Sequence, residues 1–230
     1  GSLASLHKGE GRLPGLKVIM NRIRSLFKIP LPLKGKKVLI TAGPTREAID
    51  PVRFISNRSS GKMGYALAEN ARDMGASVIL VSGPVALVEI SEVKTLKVET
   101  VNDMLNAVMR NCIKADYIFM AAAVADYIPV VQKNDKMKRT NQNLTLDLKP
   151  APDILKSLFG KTKAVIIAFA LETQNGEEEA ERKMKEKNAD FIVLNYANEK
   201  GAGFDSNTNR ITIFSKNGKK RTGGWEKGKD

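Results

Sequence analysis

Residues 59–64 form the segment of this chain whose residue types most directly suggest chemistry. Ser59, Ser60 and Gly61 precede a run of helical periodicity that begins at Lys62. The first backbone N–H groups of a helix have no intrahelical partner, and together with the helix dipole they favour an anion such as a phosphate. Serine is also an ordinary helix cap, so a structural role stays open. The spacings of the dinucleotide fingerprint and of the P-loop are both absent.

The single histidine and the single cysteine limit the kinds of catalysis available. His7 lies in a basic N-terminal segment, and Cys112 lies in a run with a helical pattern. A Ser-His-Asp triad, a Cys-His pair, a histidine-rich metal site and a disulfide framework are therefore excluded within this sequence. Catalysis would depend on lysine, arginine, asparagine, carboxylates, hydroxyls and backbone amides. We expect a cytoplasmic protein with no membrane partner, because cysteine is scarce and no apolar run could cross a bilayer.

The net charge of +13 suggests at first a nucleic-acid-binding protein. Residues 1–37 carry +8 of this charge and residues 216–230 carry +4, which leaves +1 for the 178 residues between them. A nucleic-acid-binding domain carries its basic surface on the folded part of the chain. Because the excess lies at the two ends, we expect no nucleic-acid partner.

Apolar runs alternate with helical periods along most of the chain. Strands are predicted at 37–43, 77–82, 93–98, 117–123, 164–170 and 191–195, and helices at 62–74, 104–113 and 176–187. This alternation predicts an α/β fold with a doubly wound, Rossmann-like, mostly parallel sheet flanked by helices. Ligands of such sheets bind beyond the carboxyl ends of the strands. The loops that follow the strands are therefore the places to look for a site.

Shorter segments complete the predicted secondary structure. They are a helix over 16–27, a strand over 144–148, a helix over 152–159 opened by Pro152, and a late strand over 210–214. The helix over 62–74 should present Met63, Ala66, Leu67 and Ala71 as its apolar face. Residues 132–143 are polar and rich in lysine, and they show no hydrophobic period.

The loop after the first predicted strand carries an extended motif. Residues 41–64 read Thr-Ala-Gly-Pro-Thr-Arg-Glu-Ala-Ile-Asp-Pro-Val-Arg-Phe-Ile-Ser-Asn-Arg-Ser-Ser-Gly-Lys-Met-Gly. This motif closely resembles the first-loop signature of bacterial phosphopantothenoylcysteine synthetase. Further matches follow in the family's order at residues 121–127, 135–138, 152–154 and 168–173, and at Lys183-x-x-x-Lys187. The resemblance spans roughly residues 36–214 and implies that the lysine-rich segment is a flap.

The N-terminal segment carries a second resemblance. Residues 3–14 are similar to a degraded last motif of the flavin-dependent phosphopantothenoylcysteine decarboxylase, which precedes the synthetase in many bacteria. We therefore expect residues 1–35 to hold a Gly-Ser cloning remnant, the end of the decarboxylase and a linker. Residues 36–221 would be the synthetase domain, and residues 222–230 a polar tail in place of the closing helix of relatives. The resemblance implies that FMN belongs to the missing decarboxylase domain.

The resemblance implies a ligation in two half-reactions. The carboxylate of 4'-phosphopantothenate attacks the α-phosphate of CTP, and the amine of L-cysteine then displaces CMP from the acyl-cytidylate. Neither step needs a histidine, since positioning and preorganised donors can dominate such chemistry. The triphosphate implies Mg²⁺, whose protein ligands stay unassigned, and the preference for CTP over ATP is likewise carried by the resemblance.

The same resemblance assigns site residues. It implies that Asn57 and Lys136 are catalytic, and that the acyl substrate is contacted by Asn57, Arg53, Ala123 and Lys138. It implies that CTP is bound by Ser59, Ser60, Gly61, Ala122, Ala123, Asp126, Lys136, Ala151, Pro152, Asp153, Ile154, Phe169, Ala170, Lys183 and Lys187. Many relatives have Asn where this chain has Ala151, so only a backbone contact is expected there.

Each of these assignments has a structural alternative. Asn57 could turn its own loop, Asp126 could cap a turn, and Phe169 could be a core residue. The flap lysines could be solvated surface, and the helix lysines could pair with Glu179.

Other functions stay open as well. The chain could be a truncated or degenerate relative that binds CTP without efficient turnover. It could be a short-chain NAD(P) oxidoreductase, because Tyr196 and Lys200 fit a Tyr-x-x-x-Lys spacing. Relatives dimerise, so the resemblance also implies a homodimer.

Overall fold

The computed structural model describes residues 30–139, 141–172, 176–196, 208–218 and 220–226, and five separate residues between 15 and 26. The chain divides into two compact units, residues 1–32 and 33–230. In the first unit Ile19, Arg22, Ile23 and Leu26 are helical, as predicted for 16–27. No helix in the described part of the chain is long and apolar enough to cross a membrane.

An eight-stranded sheet forms the centre of the second unit. Its strands are β1 (Lys37–Ala42), β4 (Ser77–Ser82), β5 (Lys94–Lys97), β6 (Tyr117–Met120), β9 (Val165–Glu172), β10 (Phe191–Tyr196), β11 (Thr208–Ser215) and β12 (Lys220–Glu226). Their order is β12-β11-β10-β9-β6-β1-β4-β5. All neighbours from β5 to β10 are parallel, and β11 and β12 are added antiparallel. The predicted mostly parallel α/β sheet is confirmed.

In the described part of this unit, two small hairpins and four α-helices accompany the sheet. The hairpins pair β2 (Arg46–Ala48) with β3 (Phe54–Ser56), and β7 (Tyr127–Pro129) with β8 (Leu148–Pro150). The helices are α1 (Lys62–Asp73), α2 (Val101–Asn111) followed by a 3-10 turn (Cys112–Lys114), α3 (Ile154–Ser157) and α4 (Gly176–Lys187).

The helices cover both faces of the sheet, which explains why its strands are apolar throughout. In β1, Val38 and Ile40 pack in one cluster with Tyr65 and other residues of α1. Leu39 points the other way, into a second cluster that includes residues of α2, α3 and α4. A strand buried on both faces shows a continuous apolar run instead of alternation. The doubly wound architecture therefore follows directly from the composition of these strands.

Helix α1 ends one residue before its predicted bound, and only Ala71 of the predicted apolar face is fully buried. Gly64, Tyr65, Ala68 and Ala71 are buried, whereas Met63, Ala66 and Leu67 are only half-buried. The reason is a close approach at Gly64, where an added Cβ would lie 2.5 Å from Cβ of Ala42 in β1. The helix is rotated so that its glycine faces the strand, and apolarity alone does not reveal that rotation.

Several other predicted elements differ from the structure at their ends. Helix α2 begins at Val101 because Thr100 caps it: its hydroxyl accepts from the Asp103 N–H, and the Asp103 carboxylate accepts from the Thr100 N–H. The strand predicted at 144–148 lies instead at Leu148–Pro150, and helix α3 covers only Ile154–Ser157 of the predicted 152–159. Strand β6 ends at Met120, and the Ala122 N–H that follows it donates to the Thr41 hydroxyl of β1.

The carboxyl-terminal residues also differ from expectation. Strand β12 pairs with β11 along its whole length, from Thr208 opposite Glu226 to Phe214 opposite Lys220. Residues 222–226, which we predicted to lie in a polar tail, therefore complete the sheet. Their polar, glycine-containing sequence gives no strand pattern, because backbone pairing at a sheet edge does not need apolar side chains.

We predict that Gly64→Ala lowers the free energy of unfolding by about 1–3 kcal/mol, because the new methyl group overpacks the contact with Ala42. Ordinary helix propensity predicts the opposite sign, since alanine stabilises a helix by up to about 1 kcal/mol relative to glycine. Urea unfolding monitored by circular dichroism measures the difference. The reverse change at a half-buried position of the same helix, Ala66→Gly, reports propensity alone. Wild-type or higher stability of Gly64→Ala would contradict the close approach.

Candidate active site

Two loops run side by side at the carboxyl edge of the sheet. One follows β1 and spans residues 43–61, and the other follows β6 and spans residues 121–126. Pro44 forms a parallel bridge with Ala123, and the Ala123 N–H donates to the Gly43 carbonyl at 2.9 Å. The structure thus brings together the loops that the sequence marked as separate motifs.

Two buried threonines fix the second loop. Thr41 and Thr45 are fully buried, and their hydroxyl oxygens accept from the N–H groups of Ala122 (3.2 Å) and Ala125 (3.0 Å). Sequence reasoning missed both residues although they lie in the quoted motif. No local sequence pattern shows which distant backbone N–H group a threonine hydroxyl will bind.

Asn57 joins the same two loops. Its side-chain amide donates to the Val124 carbonyl at 2.7 Å, although the two residues are 67 positions apart. The structure therefore contradicts the alternative in which Asn57 only turns its own loop. An amide has two N–H donors, and Val124 occupies one of them.

The start of helix α1 lies at the end of the first loop. Gly61 is its N-cap in a left-handed conformation (φ 77°), and no side chain of the described residues caps the helix there. The Ser59 hydroxyl accepts from the Gly61 N–H at 3.3 Å. An added Cβ on Gly61 would lie 2.7 Å from Val85 Cγ1, so a larger residue would disturb this turn. Ser59 is therefore not an ordinary helix cap.

A cavity of about 210 Å³ lies beside the second loop. Its lining includes eight of the residues predicted to bind CTP: Ala122, Asp126, Ala151, Pro152, Asp153, Ile154, Phe169 and Lys187. Phe169 is half-buried at this wall, whereas Ala170 is buried in the core and does not line the cavity.

Asp126 is exposed, and its side chain caps no turn in the described part of the chain. The Ala151 N–H donates to the Asp126 carbonyl, so only the Ala151 carbonyl is left for a ligand.

The two helix lysines are both paired with carboxylates. Lys183 Nζ donates to Glu172 Oε1 at 2.5 Å, and Lys187 Nζ lies 3.5 Å from Asp153 Oδ2. The expected alternative partner, Glu179, instead forms an ion pair with Arg182. The lysines do not lie free on a solvated helix face, and any anion that binds them shares them with these carboxylates.

The flap lysines lie apart from the cavity. Lys136 and Lys138 are exposed, and neither lines the cavity wall.

Arg53, predicted to contact the acyl substrate, donates through Nη2 to the Met137 carbonyl at 2.6 Å. The neighbouring Asp50, which sequence reasoning missed, accepts from the Met137 N–H at 3.2 Å. Burial raises the pKa of the Asp50 carboxyl, but three backbone N–H groups and the Arg53 guanidinium outweigh that effect and hold the pKa below its ordinary value.

Other reactive groups do not converge on this edge. The described residues contain no group of three histidine, cysteine or carboxylate side chains that could hold a metal ion. They therefore provide no cage for Mg²⁺, which commonly binds through substrate phosphates and water. Cys112 lies in the core, where burial raises the pKa of its thiol and makes it unreactive. Tyr196 is the last residue of strand β10, and Lys200 lies outside the described residues.

Comparison with known proteins identifies the class of domain. Residues 33–229 match the family described as the DNA/pantothenate metabolism flavoprotein C-terminal domain. The chain belongs to this family, which confirms the resemblance found in its motifs.

Several relatives are named as proteins of coenzyme A biosynthesis. The chain is 46% identical to the coenzyme A biosynthesis bifunctional protein CoaBC of Bacillus subtilis, covering 96% of this chain and 55% of that protein. It is 38% identical to CoaBC of Escherichia coli, again over 96% of this chain and 55% of the relative. The chain thus spans about half the length of these curated relatives.

Solved structures agree with this assignment. A crystal structure of the C-terminal domain of CoaBC is 46% identical, covers 83% of this chain and 86% of that domain, and gives a TM-score of 0.70. A Cab2 variant in complex with phosphopantothenate-cysteine shares the fold, with a TM-score of 0.64 at 18% identity over 94% of this chain and 88% of that one.

We predict that Thr45→Val lowers the free energy of unfolding more than Thr45→Ser does. Valine has nearly the same shape but leaves the Ala125 N–H without an acceptor, which costs about 1–3 kcal/mol in a buried site. Serine keeps the hydroxyl and loses one methyl group, worth about 0.8 kcal/mol. Urea unfolding of the two variants measures the difference. Equal stabilities, or a more stable valine variant, would show that the hydroxyl does not hold the second loop.

Proposed function

We propose that the chain is a ligase that joins 4'-phosphopantothenate to L-cysteine at the expense of CTP, through an acyl-cytidylate. The observation that carries this proposal is the Asn57 bond to Val124, which sets one amide between the two loops at the edge of the nucleotide cavity. The donor that remains on this amide is available to a substrate oxygen. The family membership and the coenzyme A relatives support the same reaction.

The cavity residues account for nucleotide binding. The exposed Asp126 carboxylate can accept two hydrogen bonds from ribose hydroxyls. Backbone groups of residues 151–154 and the Phe169 wall lie where they can contact the base. Lys187 and Lys183 supply positive charge for the phosphates, and the glycine turn at the start of α1 offers backbone donors.

The reaction then requires little acid–base chemistry from the protein. A carboxylate oxygen of 4'-phosphopantothenate forms a bond to the α-phosphorus, and the bond from that phosphorus to the bridging oxygen breaks as pyrophosphate leaves. The cysteine amine next forms an amide bond at the acyl carbon, CMP leaves with the electrons of the acyl–oxygen bond, and the amine proton passes to solvent. Asn57 would donate to the acyl oxygen as it gains charge. Losing one such donor typically lowers a rate by about 10²–10³.

Lys136 and Lys138 complete the proposed site from the flap. Both are exposed on a segment that reaches out from the β7–β8 hairpin, where they can approach the triphosphate and the acyl substrate. Mg²⁺ would accompany the triphosphate, because it commonly binds through phosphate oxygens and water. We expect the protein to act in the cytoplasm. We also propose that a flavin-binding decarboxylase domain precedes residues 1–35 in a longer protein, as the second resemblance implies.

The ligase reaction is tested by pyrophosphate release with 4'-phosphopantothenate, cysteine, Mg²⁺ and either CTP or ATP. We expect release that requires phosphopantothenate and prefers CTP, and a fall of about 10²–10³ in Asn57→Ala. Lys136→Ala should also lose most activity because a phosphate contact is removed. Ile113→Ala, at an exposed position in the 3-10 turn that precedes β6 at the opposite edge of the sheet, is the control.

The same assay separates the remaining alternatives. CTP binding detected by calorimetry without pyrophosphate release would identify a degenerate relative that binds the nucleotide but does not turn it over. Binding of NADH would favour the oxidoreductase alternative, although Tyr196 belongs to a strand and the Tyr-x-x-x-Lys pair requires a helix.

We also propose that the chain forms a homodimer through the β7–β8 hairpin. Its two arms expose Tyr127, Val130, Val131, Leu144, Leu146 and Leu148, each at least 38% accessible. A concentration of large apolar side chains on one exposed hairpin is typical of a protein–protein interface. Dimerisation there would bring each flap, which extends from the same hairpin, close to the partner subunit.

Sedimentation velocity tests the proposed dimer. We expect wild type to sediment as a dimer at micromolar concentration and Val131→Asp to sediment as a monomer, because a carboxylate would be buried in the interface. Val88→Asp makes the same change at a position that is 87% exposed and away from the hairpin, and it should stay dimeric. A monomeric wild type, or equal behaviour of both variants, would contradict this interface.

A further inference from the structure

Among the described residues of the flap, residues 132–143, only Met137 has a side chain that is not exposed. Every described residue from 130 to 150 is exposed except Met137, which is half-buried. Strands β7 and β8 hold the two ends of this segment together, and the Val130 N–H donates to the Asp147 carbonyl at the base of the hairpin. Beyond that base, side-chain burial contributes little to fixing the flap.

Main-chain hydrogen bonds fix it instead. The Met137 N–H donates to Asp50 Oδ2 at 3.2 Å, and the Met137 carbonyl accepts from Arg53 Nη2 at 2.6 Å. A further bond runs from the Lys133 N–H to the Ile49 carbonyl at 2.9 Å. All three bonds end on the turn formed by residues 49–53. The turn therefore holds both polar groups of the Met137 main chain.

The turn is also held by hydrogen bonds that do not involve the flap. Asp50 Oδ1 accepts from the N–H groups of Val52 and Arg53, both at 2.8 Å, and the Ile49 N–H donates to the Arg53 carbonyl at 2.8 Å. Arg53 Nε lies 3.6 Å from Asp50 Oδ2, and the Asp50 side chain is fully buried. A buried charge forms strong hydrogen bonds and is costly when left without partners. Asp50 thus presents one carboxylate oxygen, already oriented, to the flap.

We propose that Asp50 is a positioning residue that, together with Arg53, clamps the Met137 peptide and so sets Lys136 and Lys138 for substrate binding. This inference rests on the proposed ligase function. Consecutive Cα atoms are about 3.8 Å apart, so fixing Met137 restricts the backbone of both lysines to a small volume. Arg53 then acts by holding the flap, in addition to any contact with the acyl substrate.

The first test is Asp50→Asn in the chain as it stands. Asparagine keeps one oxygen for the N–H groups of the turn but places an NH₂ group opposite the Met137 N–H, so the clamp loses its acceptor. Loss of a charge-assisted hydrogen bond should raise the open population of the flap about 10- to 100-fold. Hydrogen exchange of the Met137 amide and tryptic cleavage after Lys136 and Lys138 measure this population directly.

Asp50→Asn should also change the kinetics of the ligase reaction. We expect kcat/KM for pyrophosphate release to fall about 10- to 100-fold, because small misplacements of positioning groups cost that much. The urea unfolding midpoint should stay close to wild type. Asp147→Asn makes the same chemical change in an exposed carboxylate of the hairpin and should change neither flap protection nor kinetics. Unchanged exchange, unchanged cleavage or unchanged kinetics in Asp50→Asn would overturn the proposal.

A second variant keeps the test decisive if Asp50→Asn unfolds. Met137→Pro removes the donor N–H and leaves the turn intact, so in a folded protein it should reproduce the faster tryptic cleavage after Lys138 and the kinetic loss, while the new Lys136–Pro bond itself resists trypsin. A Met137→Pro variant with wild-type kinetics would overturn the proposal. The exchange and cleavage measurements need no turnover, so they report on the clamp even if the ligase reaction itself is not observed.

Discussion

The close approach of main chains at the carboxyl edge of the sheet is the constraint on which the site depends. An added Cβ on Gly83 would lie 1.7 Å from the Pro44 carbonyl oxygen, which no side chain could tolerate. Gly64 meets Ala42 in the same way. Because these glycines let the strands, the first loop and helix α1 come together, Thr45 and Asn57 reach the second loop. The cavity wall and the amide beside it are consequences of this packing.

Much of the fold could be predicted because strands that are buried on both faces of the sheet have continuous apolar sequences. Strand β4 and helix α4 have their predicted bounds, since each is marked by its own composition. The rotation of α1 could not be predicted, because it is set by a contact between Gly64 and Ala42. Strand β12 could not be predicted either, since its pairing comes from the backbone.

The candidate site was predictable only in part, and for a related physical reason. Motifs mark residues that lie in loops, and the cavity collects eight of the fifteen residues assigned to CTP. Motifs do not indicate which residues of one loop form hydrogen bonds with another loop. Thr41, Thr45 and Asp50 act on backbone groups that are about 80 positions away, so no local pattern reveals them. The partners of Lys183 and Lys187 were missed for the same reason, because helix spacing points only to neighbours on the same helix.

The position of β12 has a consequence for where the domain can be cut. A chain ended at residue 221 would lose most of β12 and leave the backbone of β11 unpaired along its outer side. Strand β11 contains the run Ile211-Thr212-Ile213-Phe214, which combines high β-propensity with no charge. An open edge of that kind is a template for association between chains, whereas Lys220 and Arg221 begin a charged outer strand that opposes it. We expect a chain shortened in this way to associate more readily than one that keeps β12.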